Sequence, residues 1–458
     1  MSLKQQNVGY LPDEKPPFSQ LILFALQQII VMFPATVLVA LLTGFHVDTT
    51  IFASGLATIG FVLITKRKIP LFYGSSFSYI TAIVSITGAE AFAGPVADEK
   101  ISAAQFGIVL SGLISIGAGI VIKQFGQDVI ERVLPPTVTG SIAIVIGLSL
   151  SKTAMENPSL MPNGIDAGDT LAGNLAWIIA IVTLLATILF SAYLKGTWSQ
   201  VPILLGLLTG YFTALILGAI YNINFVDFNK IIYESDAIFS IPHFTFPKAN
   251  LAAVAAIMPI AIATIPESTA HLYQLDIYVN KLAEKKNSKK RYSISDKLGL
   301  NLIGDGLGDM ISGVIGGPAG TNYGENLSTM AITQNFSIPM LITAAIITMI
   351  IACFRPLTSL VYSIPNAVIG GISIYLFGVI AAQGITIMIE KKVDMFDSKN
   401  LAVIATILVI GIGGSFGFAG DGMIPIFGLE LPAIATAAIF GILLNLLFLI
   451  GKKKNQEE

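Results

Sequence analysis

Gly316-Gly317-Pro318-Ala319-Gly320-Thr321-Asn322-Tyr323-Gly324-Glu325-Asn326 is a run of helix breakers that ends in a carboxylate, set between two apolar segments. Irregular backbone at membrane depth survives only where protein buries it or where it lines a wet cavity, because hydrocarbon satisfies no N–H or C=O. A glutamate in such a place is a functional candidate by default. The stretch reads as half of a substrate site in a secondary transporter. Another part of the chain must supply the other half.

The surrounding composition supports that depth. Of 458 residues, 54% are hydrophobic and 12% charged, against about 25% charged in soluble domains. The mean hydropathy is +0.78. Charge-free runs from Leu21 to Leu42, Ile101 to Ile122, Leu171 to Leu194 and Leu431 to Ile450 approach or exceed the ~20 residues that cross ~30 Å of hydrocarbon. The class is an all-α polytopic membrane protein. The lone Cys353 excludes a disulfide framework, and a net charge of −2 argues against a nucleic-acid partner. Met1 to Pro17 is polar and proline-containing, so it reads as a tail rather than a cleavable signal peptide.

Charges and breakers divide the chain into fourteen apolar segments: 18–43, 50–65, 70–88, 102–122, 137–151, 171–194, 200–220, 249–275, 297–315, 324–334, 337–354, 367–389, 399–414 and 430–450. An even count puts both termini on one side. With that side cytoplasmic, 21 of the 26 basic residues fall inside, leaving Lys100, Lys152, Lys230, Lys248 and Arg355 outside. That asymmetry is the positive-inside signature. The basic loop 281–297 then reads as a solvated cytoplasmic connection, with acidic lipid within its reach.

A weak internal repeat shows at two places. Tyr73-Gly74-Ser75-Ser76-Phe77-Ser78 resembles Tyr323-Gly324-Glu325-Asn326-Leu327-Ser328, offset by 250, and Pro135-Pro136-Thr137-Val138-Thr139-Gly140 resembles Pro365-Asn366-Ala367-Val368-Ile369-Gly370, offset by 230. Seven plus seven segments places the halves in opposite orientations. Inverted repeats with short, glycine-interrupted segments at matching positions point to a midplane site. Segments three and ten each read as an extended approach, a Tyr-Gly turn and a half-helix. The half-helix N-terminus offers free N–H groups and a positive dipole end to a carbonyl or an anion. The bland alternative is that these glycines only let helices pack closely.

Segment eight carries Pro259, Pro266, Glu267 and His271, and His271 is the only histidine within a span. Glu267 and His271 are i and i+4, on one helical face. Glu267 is the expected proton carrier, and Glu325 at a helix N-terminus is the expected substrate-binding carboxylate. A structural Glu–His hydrogen bond is the alternative. Asp305 and Asp309 lie one turn apart within Gly304-Asp305-Gly306-Leu307-Gly308-Asp309. No strand-and-helix context makes that a dinucleotide loop. Acids on a packing helix that cap or hydrogen-bond the neighbouring broken segment fit better. Phe77, Tyr79 and Tyr323 either stack on a planar ligand or fill the core. Trp177 and Trp198 fit interfacial anchors. No Walker A sequence occurs, and Glu-x-x-x-His without a further ligand makes an incomplete metal site. Neither a cofactor nor a bound metal is expected.

Thr321-Asn322-Tyr323-Gly324-Glu325-Asn326-Leu327-Ser328-Thr329-Met330-Ala331-Ile332-Thr333 resembles the signature of the nucleobase–cation symporter-2 (nucleobase–ascorbate transporter) family, closest to its uracil:proton symporter branch. Leu26-Gln27-Gln28, Met32-Phe33, Ala35-Thr36-Val37-Leu38, Gly74-Ser75-Ser76-Phe77, and Glu267 with His271 carry the likeness along the chain. It implies fourteen segments in two inverted repeats, split into core and gate. The core takes 18–133 and 249–356, the gate 134–248 and 357–451, with cytoplasmic tails at 1–17 and 452–458. By resemblance, Glu267 and Glu325 bind the base and His271 supports proton coupling. Ser76, Phe77, Tyr323 and the backbone at Gly324 shape the pocket, and Gln28, Asn326, Asp305 and Thr333 support it. Glutamate at 325 looks like the uracil branch. Ser328 and Gln334 depart from the signature's glycine and basic residue, and Gln28 and Ser268 stand where many relatives have histidine.

The sequence thus points to proton-coupled symport of uracil or a close pyrimidine into the cell by alternating access. The carrier would be a homodimer in the cytoplasmic membrane and not an enzyme. A xanthine-type purine carrier is the alternative within the family. A membrane-embedded enzyme or a non-transporting sensor is the alternative outside it, disfavoured by the missing catalytic constellation.

Overall fold

Long charge-free runs leave the backbone one local way to satisfy its own N–H and C=O groups, the α-helix. The computed structural model describes residues 9–89, 94–126, 132–161, 165, 169–196, 198, 201–226, 237–418, 422–426 and 429–454, and is built mainly from helices. In chain order come α1 (Phe18–Thr43), α2 (Val47–Ile64), the short strand β1 (Tyr73–Ser75), a single 3-10 turn (Phe77–Tyr79) that runs into α3 (Ile80–Thr87), and α4 (Asp98–Phe125). Next are α5 (Pro136–Ser149), α6 (Ser151–Glu156), α7 (Thr170–Tyr193) and α8 (Pro202–Tyr221). After α9 (Leu251–Ile257) and α10 (Ala261–Lys285) follow α11 (Leu298–Ile315), β2 (Gly320–Asn322), α12 (Gly324–Thr333) and α13 (Ile338–Ala352). The remainder is α14 (Arg355–Tyr362), α15 (Asn366–Glu390), α16 (Ser398–Gly417), the hairpin β3 (Met423–Ile426) and β4 (Leu429–Pro432), and α17 (Ala433–Lys454). Counting α5 with α6 and α9 with α10 as single spans, ten helices among the described residues are long and apolar enough to cross a membrane.

Two helix pairs approach almost backbone to backbone. A Cβ on Gly112 of α4 would lie 2.3 Å from the Gly306 carbonyl of α11, and one on Gly306 would lie 2.2 Å from the Gly112 carbonyl. Gly140 of α5 and Gly384 of α15 meet in the same reciprocal way. Small residues at such seams gain van der Waals contact where lipid removes the hydrophobic drive between helices. Around the first seam pack α1, α2, α9 and α13; around the second pack α7, α16 and α17. α10 touches both groups, and α1 reaches across to α8.

Most boundaries fall within a few residues of the sequence reading, with three differences. α10 runs ten residues past the expected end at 275. Its extension buries Val279, Leu282 and Ala283, and Asp276 Oδ1 accepts from the Ile294 and Ser295 amides at 2.7 and 3.1 Å. α14 and the β3–β4 hairpin were not expected at all. Residues 9–17, in the stretch expected as a cytoplasmic tail, are docked on the bundle. Tyr10 bridges Asn335 in parallel, Leu11 is buried, and Ser337 Oγ donates to the Glu14 carbonyl at 2.6 Å. Lys286 and Lys290 ion-pair with Glu14 and Asp13 at 2.5 and 2.7 Å. Burial pushes the Asp13 carboxyl up, but hydrogen bonds from Lys290 and Tyr292 outweigh it and hold the group below its usual range.

Candidate functional site

The two breaker-rich stretches meet. β1 and β2 pair antiparallel, with Tyr73 opposite Asn322, Gly74 opposite Thr321 and Ser75 opposite Gly320. A two-stranded ribbon inside a bundle has edges to satisfy, and neighbouring side chains do so. Thr58 Oγ1 accepts from the Tyr73 amide at 3.0 Å, and Ser54 Oγ donates to its carbonyl at 2.6 Å. The ladder is extended by Tyr323 N to Phe72 O and Ser76 N to Ala319 O, both 2.9 Å. Ser312 Oγ donates to the Pro318 carbonyl at 2.6 Å.

This register corrects the repeat offset by 250. Tyr73-Gly74 lies inside β1, and its helical turn starts only at Phe77, whereas Tyr323 caps α12 and Gly324 is its first residue. The residues leaving the two strands in equivalent places are Ser76 and Tyr323. In the repeat offset by 230, Pro135 and Pro365 each immediately precede a helix, α5 and α15.

The two aspartates of α11 support the second strand. Asp309 Oδ1 accepts from Tyr73 Oη at 2.5 Å and from the Gly320 amide at 2.8 Å. Asp305 accepts from Ser268 Oγ, and from Asn322 Nδ2 at 2.7 Å. Asn301 Nδ2 donates to Ser268 Oγ at 2.6 Å. These bonds tie α10, α11 and β2 together.

Glu267 and Glu325 differ from them. Glu267, half-buried on α10, has no hydrogen-bond partner among the described residues and lies close enough to Glu325 for the two charges to interact. Glu325 is in the first turn of α12, its carboxylate against its own amide and its side chain open to a cleft. The first helical bond of α12 runs from Leu327 N to Tyr323 O at 3.1 Å, so the Gly324, Glu325 and Asn326 amides precede it. Tyr323 at the N-cap offers them no side-chain acceptor, and the Glu325 amide meets its own carboxylate. His271 hydrogen-bonds to the Asn322 backbone, and its Nδ1 is buried without a partner. A Cβ at position 324 would sit 2.7 Å from His271 Nε2, so glycine there is what lets imidazole and half-helix touch.

The remaining predicted residues divide. Tyr323 is 4% exposed, its hydroxyl donating to the Ser75 carbonyl at 2.9 Å and bonded to Thr36 Oγ1 at 3.0 Å. It locks the two broken spans and α1 together. Tyr79 is a core residue, fully buried with its hydroxyl on Ser111 Oγ at 3.2 Å. Phe77 is half-buried and meets Phe377 of α15 edge-on at 6.2 Å. Ser76 is buried and caps its own turn by accepting from Ser78 N at 3.3 Å. Asn326 Nδ2 donates to both Gln28 O and Gln28 Oε1 at 2.9 Å, fixing α12 on α1. Thr333 is not brought to the cluster. It bonds to the Thr329 carbonyl at 2.8 Å, nine residues and about 13 Å along the helix from Gly324. Among the described residues, no third metal-ligating side chain joins Glu267 and His271.

Beside Glu325 opens a cleft of about 170 Å3, lined by Ile30, Pro34 and Ile203 together with Ser328 and Ile332. Glu267 is not in its lining. Sequence reasoning missed Thr36, Thr58 and Asn301, and gave Ser268 no structural role. Each is a small polar residue in an apolar helix whose partner is distant in sequence, so no spacing signals it.

Comparison with known proteins follows the same direction. The sequence profile of the Permease family (Xan_ur_permease) matches residues 19–420. The "Uracil permease" of Bacillus caldolyticus is 36% identical over 441 residues, 95% of this chain and 93% of that one. That of Bacillus subtilis is 34% identical, covering 100% and 98%. The "Putative pyrimidine permease RutG" of Escherichia coli is 33% identical, covering 95% and 91%. Among solved structures, the transmembrane domain of the cyanobacterial bicarbonate transporter BicA aligns with a TM-score of 0.53 at 13% identity, covering 93% and 97%. The murine anion transporter Slc26a9 aligns at 0.65 and 12%, covering 96% and 69%. At such identities these last two speak for the fold alone.

Proposed function

The chain belongs to the Permease family, the nucleobase–cation symporter-2 transporters, and from that premise we propose that it carries uracil or a close pyrimidine nucleobase into the cell together with a proton. It is a multi-pass membrane transporter rather than an enzyme. The substrate reading takes its support from relatives called uracil permeases over nearly their whole length.

One observation carries the site: two carboxylates that have no side-chain donor among the described residues, on two different helices, at the start of a half-helix. Uracil has two N–H donors and two carbonyl acceptors. Carboxylates accept the former, and the amides of Gly324 and Asn326 at the start of α12 suit the latter. Glu325, in the first turn and open to the cleft, is the base-binding carboxylate. Glu267, unpartnered beside it, carries the proton, because like charges so placed disfavour joint ionisation and a proton arriving with the neutral base relieves them. His271 couples the two by joining Glu267's helix to the backbone of β2. Ser76, Phe77 and Gly324 complete the pocket, with Tyr323, Gln28, Asn326 and Asp305 holding its walls.

Alternating access follows from a division into a core (α1–α4 with α9–α13) and a gate (α5–α8 with α14–α17). The two glycine seams and the sparse packing between the groups support it. Adding α3, α11, α12 and α13 to the ten long spans gives fourteen passes in two inverted halves. The basic residues favour cytoplasmic termini in the cytoplasmic membrane. The cleft beside Val201–Leu204 would then open inward. A homodimer belongs to this reading on family resemblance.

Uptake into proteoliposomes tests it. Labelled uracil should accumulate under an inward proton gradient and stop when the gradient is collapsed. Xanthine outcompeting uracil would make the carrier a purine one, and no gradient dependence would remove proton coupling.

A further inference from the structure

At the end of the bundle away from the basic 281–297 loop, three side chains from separate parts of the chain converge. His46 ends the α1–α2 connection, Asp98 opens α4, and His243 lies in the 237–250 connector that leads to α9. His243 Nε2 is 2.9 Å from Asp98 Oδ2, and His46 Nε2 is 3.5 Å from Asp98 Oδ1. The two imidazoles lie with centroids 4.3 Å apart and planes inclined by 38°. Both nitrogens and the carboxylate are within 4.8 Å of one another.

We propose that His46, Asp98 and His243 form a binding site for a zinc-class divalent transition-metal ion. Ligands about 2.1 Å from a tetrahedral ion stand ~3.4 Å apart, and the two N–O separations, 2.9 and 3.5 Å, bracket that value. A simple ion-paired cluster accounts less well for His46. Its Nε2 is buried and comes no closer than 3.5 Å to the carboxylate, which is long for a hydrogen bond. The backbones of both histidines are fixed independently of any ion. The His46 carbonyl accepts from Thr50 N at 2.9 Å and Thr50 Oγ1 at 2.8 Å, and the His243 carbonyl accepts from Thr49 Oγ1 at 2.6 Å. Asp48 is occupied by the Thr49 and His243 amides at 2.8 and 3.3 Å, so it acts as a support rather than a fourth ligand. Three protein donors leave one position for water or an exogenous ligand. Two imidazoles and one carboxylate select zinc, copper, nickel or cobalt over calcium and magnesium.

A bound ion would clamp the connector to the ends of α2 and α4. The site is independent of what the carrier transports. Its test uses the full chain, purified with any polyhistidine tag removed and titrated with Co2+ and then Zn2+. One equivalent of Co2+ should give the visible d–d bands of a tetrahedral N/O site, displaced by Zn2+ and indifferent to excess Mg2+. Zn2+ should raise the melting temperature. His243→Ala and Asp98→Asn should each weaken binding by about tenfold or more, with unchanged melting of the metal-free protein as the check on folding. Absence of the bands, or full binding in both variants or in His46→Ala, overturns the site. If a variant fails to fold, the titration of the parent protein still decides.

Discussion

Asp305 and Asp309 on α11 lie in one polar cluster with Glu267 and Glu325 on α10 and α12, yet their surroundings are opposite: the aspartates are buried, Glu267 is half-buried and Glu325 is exposed. Each aspartate accepts two hydrogen bonds from buried groups: Ser268 and Asn322 for Asp305, Tyr73 and the Gly320 amide for Asp309. Among the described residues, neither glutamate receives a bond from another side chain. Polar groups taken out of water are normally satisfied, so a half-buried carboxylate without a donor, as at Glu267, asks for a reason. The aspartates are occupied in holding an irregular ribbon at a depth where lipid cannot. The glutamates are free, which a ligand or a proton requires. Four carboxyls of similar chemistry thus divide into scaffold and site according to who donates to them.

The largest test of that contrast is Asp309→Ala. It strands the Tyr73 hydroxyl and the Gly320 amide, at about 1–3 kcal/mol each. Against a total of roughly 5–15 kcal/mol, the expected result is severe loss of monodisperse, cooperatively melting protein. A variant as stable as its parent would break the contrast from the structural side. Next comes Glu267→Gln, which leaves a well-folded protein. Concentrative uptake under a proton gradient should vanish while uracil exchange persists, and normal accumulation would remove Glu267 as the proton carrier. The smallest is Glu325→Gln. Replacing a charge-assisted acceptor worth about 1.5–3 kcal/mol should weaken uracil binding by roughly 10- to 150-fold with little change in melting. Unchanged affinity, read by calorimetry, would put the base elsewhere.

Much of this was legible beforehand because composition and breakers act locally. Gly316-Gly317-Pro318 cannot continue α11, and charge-free runs such as Phe18–Thr43 can only be helices at that depth. The Asp305–Asp309 spacing marks one face of a helix whatever it packs against. Partners were harder. The Tyr-Gly likeness suggested a common turn, but strand register is set by which backbone groups meet, and Tyr73 faces Asn322. Tyr79 looked as available as Tyr323, and packing against Ser111 made it core. Thr333 stands in the signature stretch, yet a ten-residue helix carries it away from the cluster.

By itself, then, the sequence determined a polytopic helical carrier with two broken spans, two candidate acids at 267 and 325, and a family. Local rules of hydropathy, breaker content and helical period decide those things wherever the chain is placed. Only the tertiary structure decided which acids are already satisfied, that β1 and β2 share one ladder, and that His46, Asp98 and His243 meet. Those facts rest on hydrogen bonds and contacts between residues from 11 to nearly 250 positions apart. No pattern along one dimension encodes which of many possible donors a carboxylate will find.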